Sequence, residues 1–223
     1  MSGFRVAIDG PAGSGKSTIS STIAKTLGWT HIDTGAMYRA VTLQAIELGI
    51  DLNDEAAYRF LETCHIHYDH DRIYIDDRDV TEAIRSDKVT RNVSLVSSFP
   101  YVRKMLVGLQ QAAAKTTGNI IMDGRDIGTV VLPDAELKIF LTANVEERAK
   151  RRYAERVQKG KQEPMAQMIE EIVNRDRKDS TREASPLRQA EDAIVIDTTS
   201  LTIKDVVKKI IAFIEQKENV HGD

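Results

Sequence analysis

The sequence predicts an α/β fold built on a parallel sheet, and three observations carry that prediction. Short apolar runs recur along the chain, each is followed by a turn or a helical pattern, and the first joins its helix through a glycine-rich loop. Parallel neighbours need long crossover connections, usually helical, whereas antiparallel ones need only a tight turn. A chain of 223 residues suits one core with insertions. Its 41% hydrophobic and 29% charged residues exclude collagen-like, coiled-coil and wholly disordered chains.

Taken in order, Phe4 to Asp9 is the first strand, ended by Gly10-Pro11, and Lys16 to Leu27 has helical spacing through Ile19, Ile23, Ala24 and Leu27. Similar runs at Thr30 to Asp33, Asn119 to Asp123, Leu137 to Thr142 and Ala193 to Asp197 bring the sheet to five strands flanked by helices. Between Asn53 and Ser86 a short helix is expected, capped by Asn53 with Asp54 and Glu55 in its first turn. Ile66 and Tyr68, then Ile73 and Ile75, alternate across a polar turn and predict a small antiparallel hairpin inserted outside the main sheet. From Asn144 to Arg182 the apolar residues are sparse (Val145, Ala149, Tyr153, Val157, Met165, Met168, Ile169, Ile172), as in two half-exposed helices forming a movable cover. The last helix, Thr202 to about Gln216, carries Val206, Val207, Ile210, Ile211 and Ile214 on one face.

Charge and cysteine content narrow the setting. A net charge of −3 argues against a generic nucleic-acid surface, which needs a basic excess. The exception is Glu146 to Arg182, with 11 Lys and Arg against 8 Asp and Glu, a segment suited to an anionic visitor. The single cysteine, Cys64, forms no internal disulfide, and a reducing, cytoplasmic compartment is expected. No stretch reaches 18 residues without a charge, and Arg5 and Asp9 stand where a signal peptide needs an apolar run, so no membrane association is expected. His65, His67 and His70 with Asp69 and Asp71 lack a recognised ligand spacing and suit an exposed turn better than a zinc site.

Gly10-Pro11-Ala12-Gly13-Ser14-Gly15-Lys16-Ser17 fits the phosphate-loop pattern and lies between a strand and a helix, where its mechanism requires it. Glycines let backbone amides wrap a phosphate, the helix start adds positive dipole, Lys16 reaches the terminal phosphates and Ser17 ligates Mg²⁺. ATP or GTP binding follows, with Thr18 continuing the loop into the helix. No Asn-Lys-x-Asp guanine reader is present, and the apolar strand ends Asp123-Gly124-Arg125-Asp126 rather than in an Asp-Glu pair, so neither a switch nor a motor is favoured. Arg39, Arg103, Arg125, Arg175 and Arg182 instead suit transfer of a phosphoryl group between two polyanions, whose repulsion several guanidinium forks would offset.

Four further segments sharpen the reading: Asp33-Thr34-Gly35-Ala36-Met37-Tyr38-Arg39; Ser98-Phe99-Pro100 followed by Val102-Arg103; Asp123 to Val131; and Arg175-Asp176-Arg177-Lys178-Asp179-Ser180 followed by Arg182. Together with the glycine loop they resemble bacterial cytidylate kinases, essentially end to end. The resemblance implies a single P-loop kinase domain with a core near 1–33, 101–145 and 183–223, a monophosphate-binding insertion near 34–100 and a lid near 146–182. It implies ATP and Mg²⁺ as cofactors and CMP, with dCMP, as acceptor.

The resemblance also assigns roles. Arg39, Arg125 and Arg182 match residues that hold the CMP phosphate, Ser94, Arg103 and Asp126 match residues that read cytosine, and Asp179 matches a residue that touches the ribose hydroxyl. Thr34, expected to bind substrate, stands where some relatives have serine; Lys178 stands where some have arginine and is left out of the expected set. Lys16, Arg125, Arg175 and Arg182 are the expected catalytic set. A carboxylate at Asp126 suits cytosine's amino group, whereas uracil would present it a carbonyl. Asp33 is a candidate for Mg²⁺ through water or a simple helix cap, and Arg148 and Arg151 are candidates for ATP. A monomer is expected. Rival readings at this stage are a kinase of the same fold acting on UMP, AMP or shikimate, a nucleotide-dependent nucleic-acid binder and a regulatory switch.

Overall fold

Alternation along the central strand divides the core in two. Val6 and Ile8 face one way and Ala7 the other, as the two-residue period of a strand dictates. The structure, a computed structural model, describes residues 3–69, 71–158, 160 and 164–221. The main sheet joins β1 (Arg5–Asp9), β2 (Thr30–Asp33), β6 (Ile120–Gly124), β7 (Leu137–Thr142) and β8 (Ile194–Asp197). Their order is β2-β6-β1-β7-β8, all parallel. The five expected strands are therefore present. One face packs α1 (Lys16–Leu27) and α7 (Ile203–His221); the other packs α2 (Thr34–Glu47), α4 (Pro100–Thr116) and the inserted region. Trp29 lies against Phe4, ring centroids 5.6 Å apart.

Register is what positions a site. Asp9 pairs with Gly124, and Asp33 with Asp123, so the carboxyl ends of β1, β2 and β6 finish level. In open α/β sheets ligands bind beyond that edge.

The expected hairpin is β3 (Ile66–Asp69) with β4 (Arg72–Ile75), and a two-residue β5 (Arg78–Asp79) extends it to three antiparallel strands. The preceding helix is a 3₁₀ helix, Glu55–Glu62, and its cap is Asp54 rather than Asn53. Asp54 accepts from Ala56 N, whereas the Asn53 amide and side chain are both held by Asp51 Oδ1. His65 and His67 are exposed, His67 stacks on Tyr74, and His70 lies outside the described residues. Cys64 is half-buried, and burial pushes its thiol up to about 11.

The charged segment forms α5 (Val145–Gln158) and α6 (Met165–Thr181), packed on each other through Ala149, Met168 and Ile172. This cluster is separate from the main core. Between the inserted sheet and α4 stands α3 (Asp87–Val96). The final helix starts at Ile203, fixed by reciprocal Thr202 and Asp205 bonds, and continues past Gln216 to His221.

Candidate active site

The loop Gly10–Ser17 leaves the central strand at the level edge of the sheet and runs into α1. It needs glycine where it turns: Gly10 has φ 151°, and a Cβ there would stand 2.0 Å from Leu141 O. Gly13 and Gly15 also have positive φ. Lys16 folds back over the loop, its Nζ donating to Pro11 O at 2.7 Å and to Ser14 Oγ at 3.3 Å. Burial, reinforced by Arg125, pushes its ammonium well below the usual range. A buried cation so placed is suited to a phosphate.

Ser17 Oγ donates to Asp123 Oδ2 at 2.8 Å, and Asp123 Oδ1 shares a 2.6 Å hydrogen bond with His31 Nε2. Burial alone would lower the His31 pKa; the hydrogen bond to Asp123 together with the charges of Asp123, Asp33 and Asp71 outweighs it and holds it raised. Asp33 caps α2 by accepting from Ala36 N, so the capping role is real. Burial and the neighbouring Asp123 raise its pKa. Thr34 Oγ1 donates to Asp123 O.

The Ser17 hydroxyl with two carboxylates that repel one another is a hard-oxygen set. It fits Mg²⁺, which takes one or two carboxylates and completes its shell with water and substrate phosphate. Sequence reasoning named Ser17 and Asp33 but missed Asp123 and His31. The available signal was Asp123 ending a strand, and only the sheet order shows that this strand adjoins the loop.

The loop forms one wall of a cleft of about 600 Å³, lined by eight Lys or Arg and five Asp or Glu side chains. Arg39 donates to Thr90 Oγ1 at 2.9 Å, and burial brings its pKa down to about 10. Arg175 is brought down to about 9 by burial and by Arg125. Its Nε is buried without a hydrogen-bond partner among the described residues, and Asp179 Oδ2 stands 4.0 Å away. Arg125 Nε donates to Asp179 Oδ2 at 2.9 Å. Burial opposes ionisation of Asp179, but Arg125 and Arg175 hold its pKa low. Arg125 adds to the depression of both Arg39 and Arg175, and a phosphate arriving among them would relieve that repulsion.

Outside the lining of that cleft, Arg103 and Asp126 form a buried ion pair, with Arg182 Nη2 3.6 Å from Asp126 Oδ1. The Arg103 guanidinium also donates to Ser97 O and lies over the Tyr38 ring at 5.2 Å. Arg182 Nε donates to Ser185 O, and burial with Arg103 nearby lowers its pKa. Arg103 Nε, Arg182 Nη2 and the Tyr38 hydroxyl are buried with no hydrogen-bond partner among the described residues. Such groups are costly unless something polar meets them.

Of the expected residues, Gly10, Pro11, Ser14, Thr34, Ser94, Arg103, Asp126, Arg151, Asp179 and Arg182 do not line the cleft. Ser94, on α3, lines a second cavity of about 270 Å³ together with Arg175 and Lys178. Arg151 bonds Thr198 through both Oγ1 and O and does not line the cleft. Arg148 grips the loop from behind, donating to Ala12 O at 3.0 Å and to Asp176 Oδ2 at 2.6 Å. Arg152 and Arg156 of α5, absent from the expected set, line both cavities and face Glu171 of α6. Their signal was present in the basic run, but its spacing left their direction open.

A glycine loop with a buried lysine, beside a cleft where cationic side chains outnumber acidic ones, is the arrangement of a P-loop phosphotransferase. The fold agrees: a gluconokinase from Sinorhizobium meliloti superposes with a TM-score of 0.53 over 99% of this chain and 96% of its own, at 13% identity, a likeness of fold alone. The particular family comes from sequence. The cytidylate kinase family profile matches residues 6–216, and the chain belongs to that family. It is 62% identical to the cytidylate kinase of Acholeplasma laidlawii over 99% of both chains. It is 50% identical to that of Halalkalibacterium halodurans over 97% of this chain and all of the other.

Proposed function

We propose that this protein transfers the γ-phosphoryl group of ATP to CMP, and to dCMP, giving CDP or dCDP and ADP. The observation that supports it most is the cleft's cationic excess, with Arg39 and Arg175 depressed beside Lys16 and Arg125. Such a site suits two phosphorylated ligands brought together.

In this reading Gly10, Pro11, Ala12, Gly13, Ser14, Gly15, Lys16, Ser17 and Thr18 bind ATP. Ser17 holds Mg²⁺, with Asp33 and Asp123 acting on it directly or through water. The ion would neutralise charge on the terminal phosphates. Arg39, Arg125 and Arg182 hold the CMP phosphate, and Lys16, Arg125, Arg175 and Arg182 stabilise charge as the phosphoryl group moves in line. No covalent enzyme intermediate is required. Arg103 and Asp126 read the base, Ser94 assists from the second cavity, Asp179 meets the ribose and Thr34 supports the site through Asp123. Arg151 approaches ATP only if the lid moves it away from Thr198.

The chain divides into the core (1–33, 101–145, 183–223), the monophosphate insertion (34–100) and the lid (146–182). Closure of the lid excludes water and suppresses ATP hydrolysis. Among the described residues no helix is long and apolar enough to cross a membrane. The protein acts as a cytoplasmic monomer on small molecules, without nucleic acid.

The test is ADP release from ATP and Mg²⁺ with CMP, dCMP, UMP, AMP, GMP and shikimate offered separately. Rapid turnover with CMP and little with AMP, GMP or shikimate is expected. Preference for another acceptor, or turnover independent of any acceptor, would overturn the assignment.

A further inference from the structure

Asp9 has no place in the reading above, yet it sits between the two halves of the site. It is the last residue of β1, directly before Gly10 of the phosphate loop, and is only 4% exposed. Its carboxylate leaves the strand sideways, accepting from Ile127 N at 2.8 Å through Oδ1 and from Gly128 N at 2.7 Å through Oδ2. Those amides open the π-helical turn Ile127–Val131, so they have no earlier carbonyl of that turn to bond. The turn continues directly from Arg125 and Asp126.

The fit is close. A Cβ on Gly128 would stand 3.1 Å from Lys138 Cδ and 3.4 Å from Asp9 Oδ2. The Lys138 ammonium is engaged elsewhere, by Pro133 O and Asp192. The two amides are thus the polar partners of the Asp9 carboxylate, with Lys16 and Asp126 the charged neighbours that bear on it. A charged group is expensive to bury without a purpose of this kind.

We infer that Asp9 is a positioning residue that fixes the Arg125–Asp126 segment relative to the phosphate loop by holding the Ile127 and Gly128 amides. One backbone strand then sets both ends of the reaction: Gly10 begins the donor cradle, and the Asp9 side chain aims the acceptor residues. Since transfer needs donor and acceptor held in line, a small shift of Arg125 costs rate even when each ligand binds. The inference rests on the assignment of Arg125 and Asp126 to the acceptor site.

Asp9→Asn tests it, because an asparagine offers one acceptor oxygen and presents an N–H donor to the second amide. With the variant folded, kcat with CMP is expected to fall about tenfold or more while the KM for ATP stays within about threefold. The preference for CMP over UMP is expected to narrow as well. A merely structural role would lower the yield of folded enzyme but leave kcat and base preference of the folded fraction intact; that result overturns the inference. Arg125→Ala is measured beside it. If Arg125→Ala is harmless the site assignment fails, whereas if it abolishes turnover and Asp9→Asn does not, the Asp9 inference alone fails. Should Asp9→Asn not fold, hydrogen exchange in the wild type decides: Ile127 and Gly128 amides are expected among the slowly exchanging set, and exchange as fast as in exposed loops overturns the role.

Discussion

The donor and acceptor halves proposed for the site are made of different materials. The donor half is eight consecutive residues whose backbone is shaped by glycine, with Lys16 and Ser17 at its end. The acceptor half is assembled from side chains on α2, α4, α6 and the segment after β6, held in place by one another: Arg103 with Asp126, Arg125 with Asp179, Arg182 with Asp126. One half is vulnerable to added volume and the other to lost charge.

Four measurements would break or sharpen that contrast. The largest effect is expected for Arg125→Ala, with kcat falling about 10³-fold while thermal unfolding shows an intact fold. Next is Gly10→Ala, a single methyl placed against Leu141 O at a backbone angle that non-glycine residues rarely adopt. It should cost on the order of 3 kcal/mol in denaturant unfolding, with loss of ATP affinity in calorimetry. If Gly10→Ala proved innocuous, the donor half would not be a backbone site.

Asp126→Asn should reduce discrimination of CMP against UMP by roughly 10²-fold, since the variant leaves Arg103 and Arg182 without their carboxylate and can face a carbonyl. Steady-state kinetics with both acceptors reads this directly.

The smallest effect concerns pH. Burial pushes the Asp9 carboxyl from 3.8 up to about 6. The folded state therefore binds more protons than the unfolded one between pH 4 and 6, and this group's contribution to stability falls as pH rises through that window. Asp9→Asn removes the slope, so the stability of the variant relative to wild type should rise by on the order of 2 kcal/mol from pH 4 to pH 7. A flat difference in urea midpoints across that range would contradict it.

Legibility in the sequence follows the same division. The glycine loop is contiguous, and its flanking strand and helix are set by periodicity, so position and chemistry are read together. The three inner strands are legible for a similar reason, because buried parallel strands are short apolar runs; the edge strands β2 and β8 keep the run although they are only partly buried. The residues proposed for the acceptor are legible through segment resemblance, but their partners are not. That Asp123 meets Ser17 depends on β6 lying beside β1, a consequence of strand order rather than of local pattern. Arg151 and Arg152 are neighbours on one basic helix, and the turn of that helix sends Arg151 to Thr198 and Arg152 to the cleft. Asn53 and Asp54 are both good caps, and Asp51 decides between them.

The burial of Cys64 has a use in the laboratory. With its thiol pushed up to about 11, very little of it is thiolate at neutral pH, and thiolate is the form that alkylating dyes attack. A cysteine introduced at an exposed position such as Val157 of α5 or Val173 of α6 would then react well ahead of it. Site-selective labelling for distance measurements across the cleft is available without first removing the native thiol.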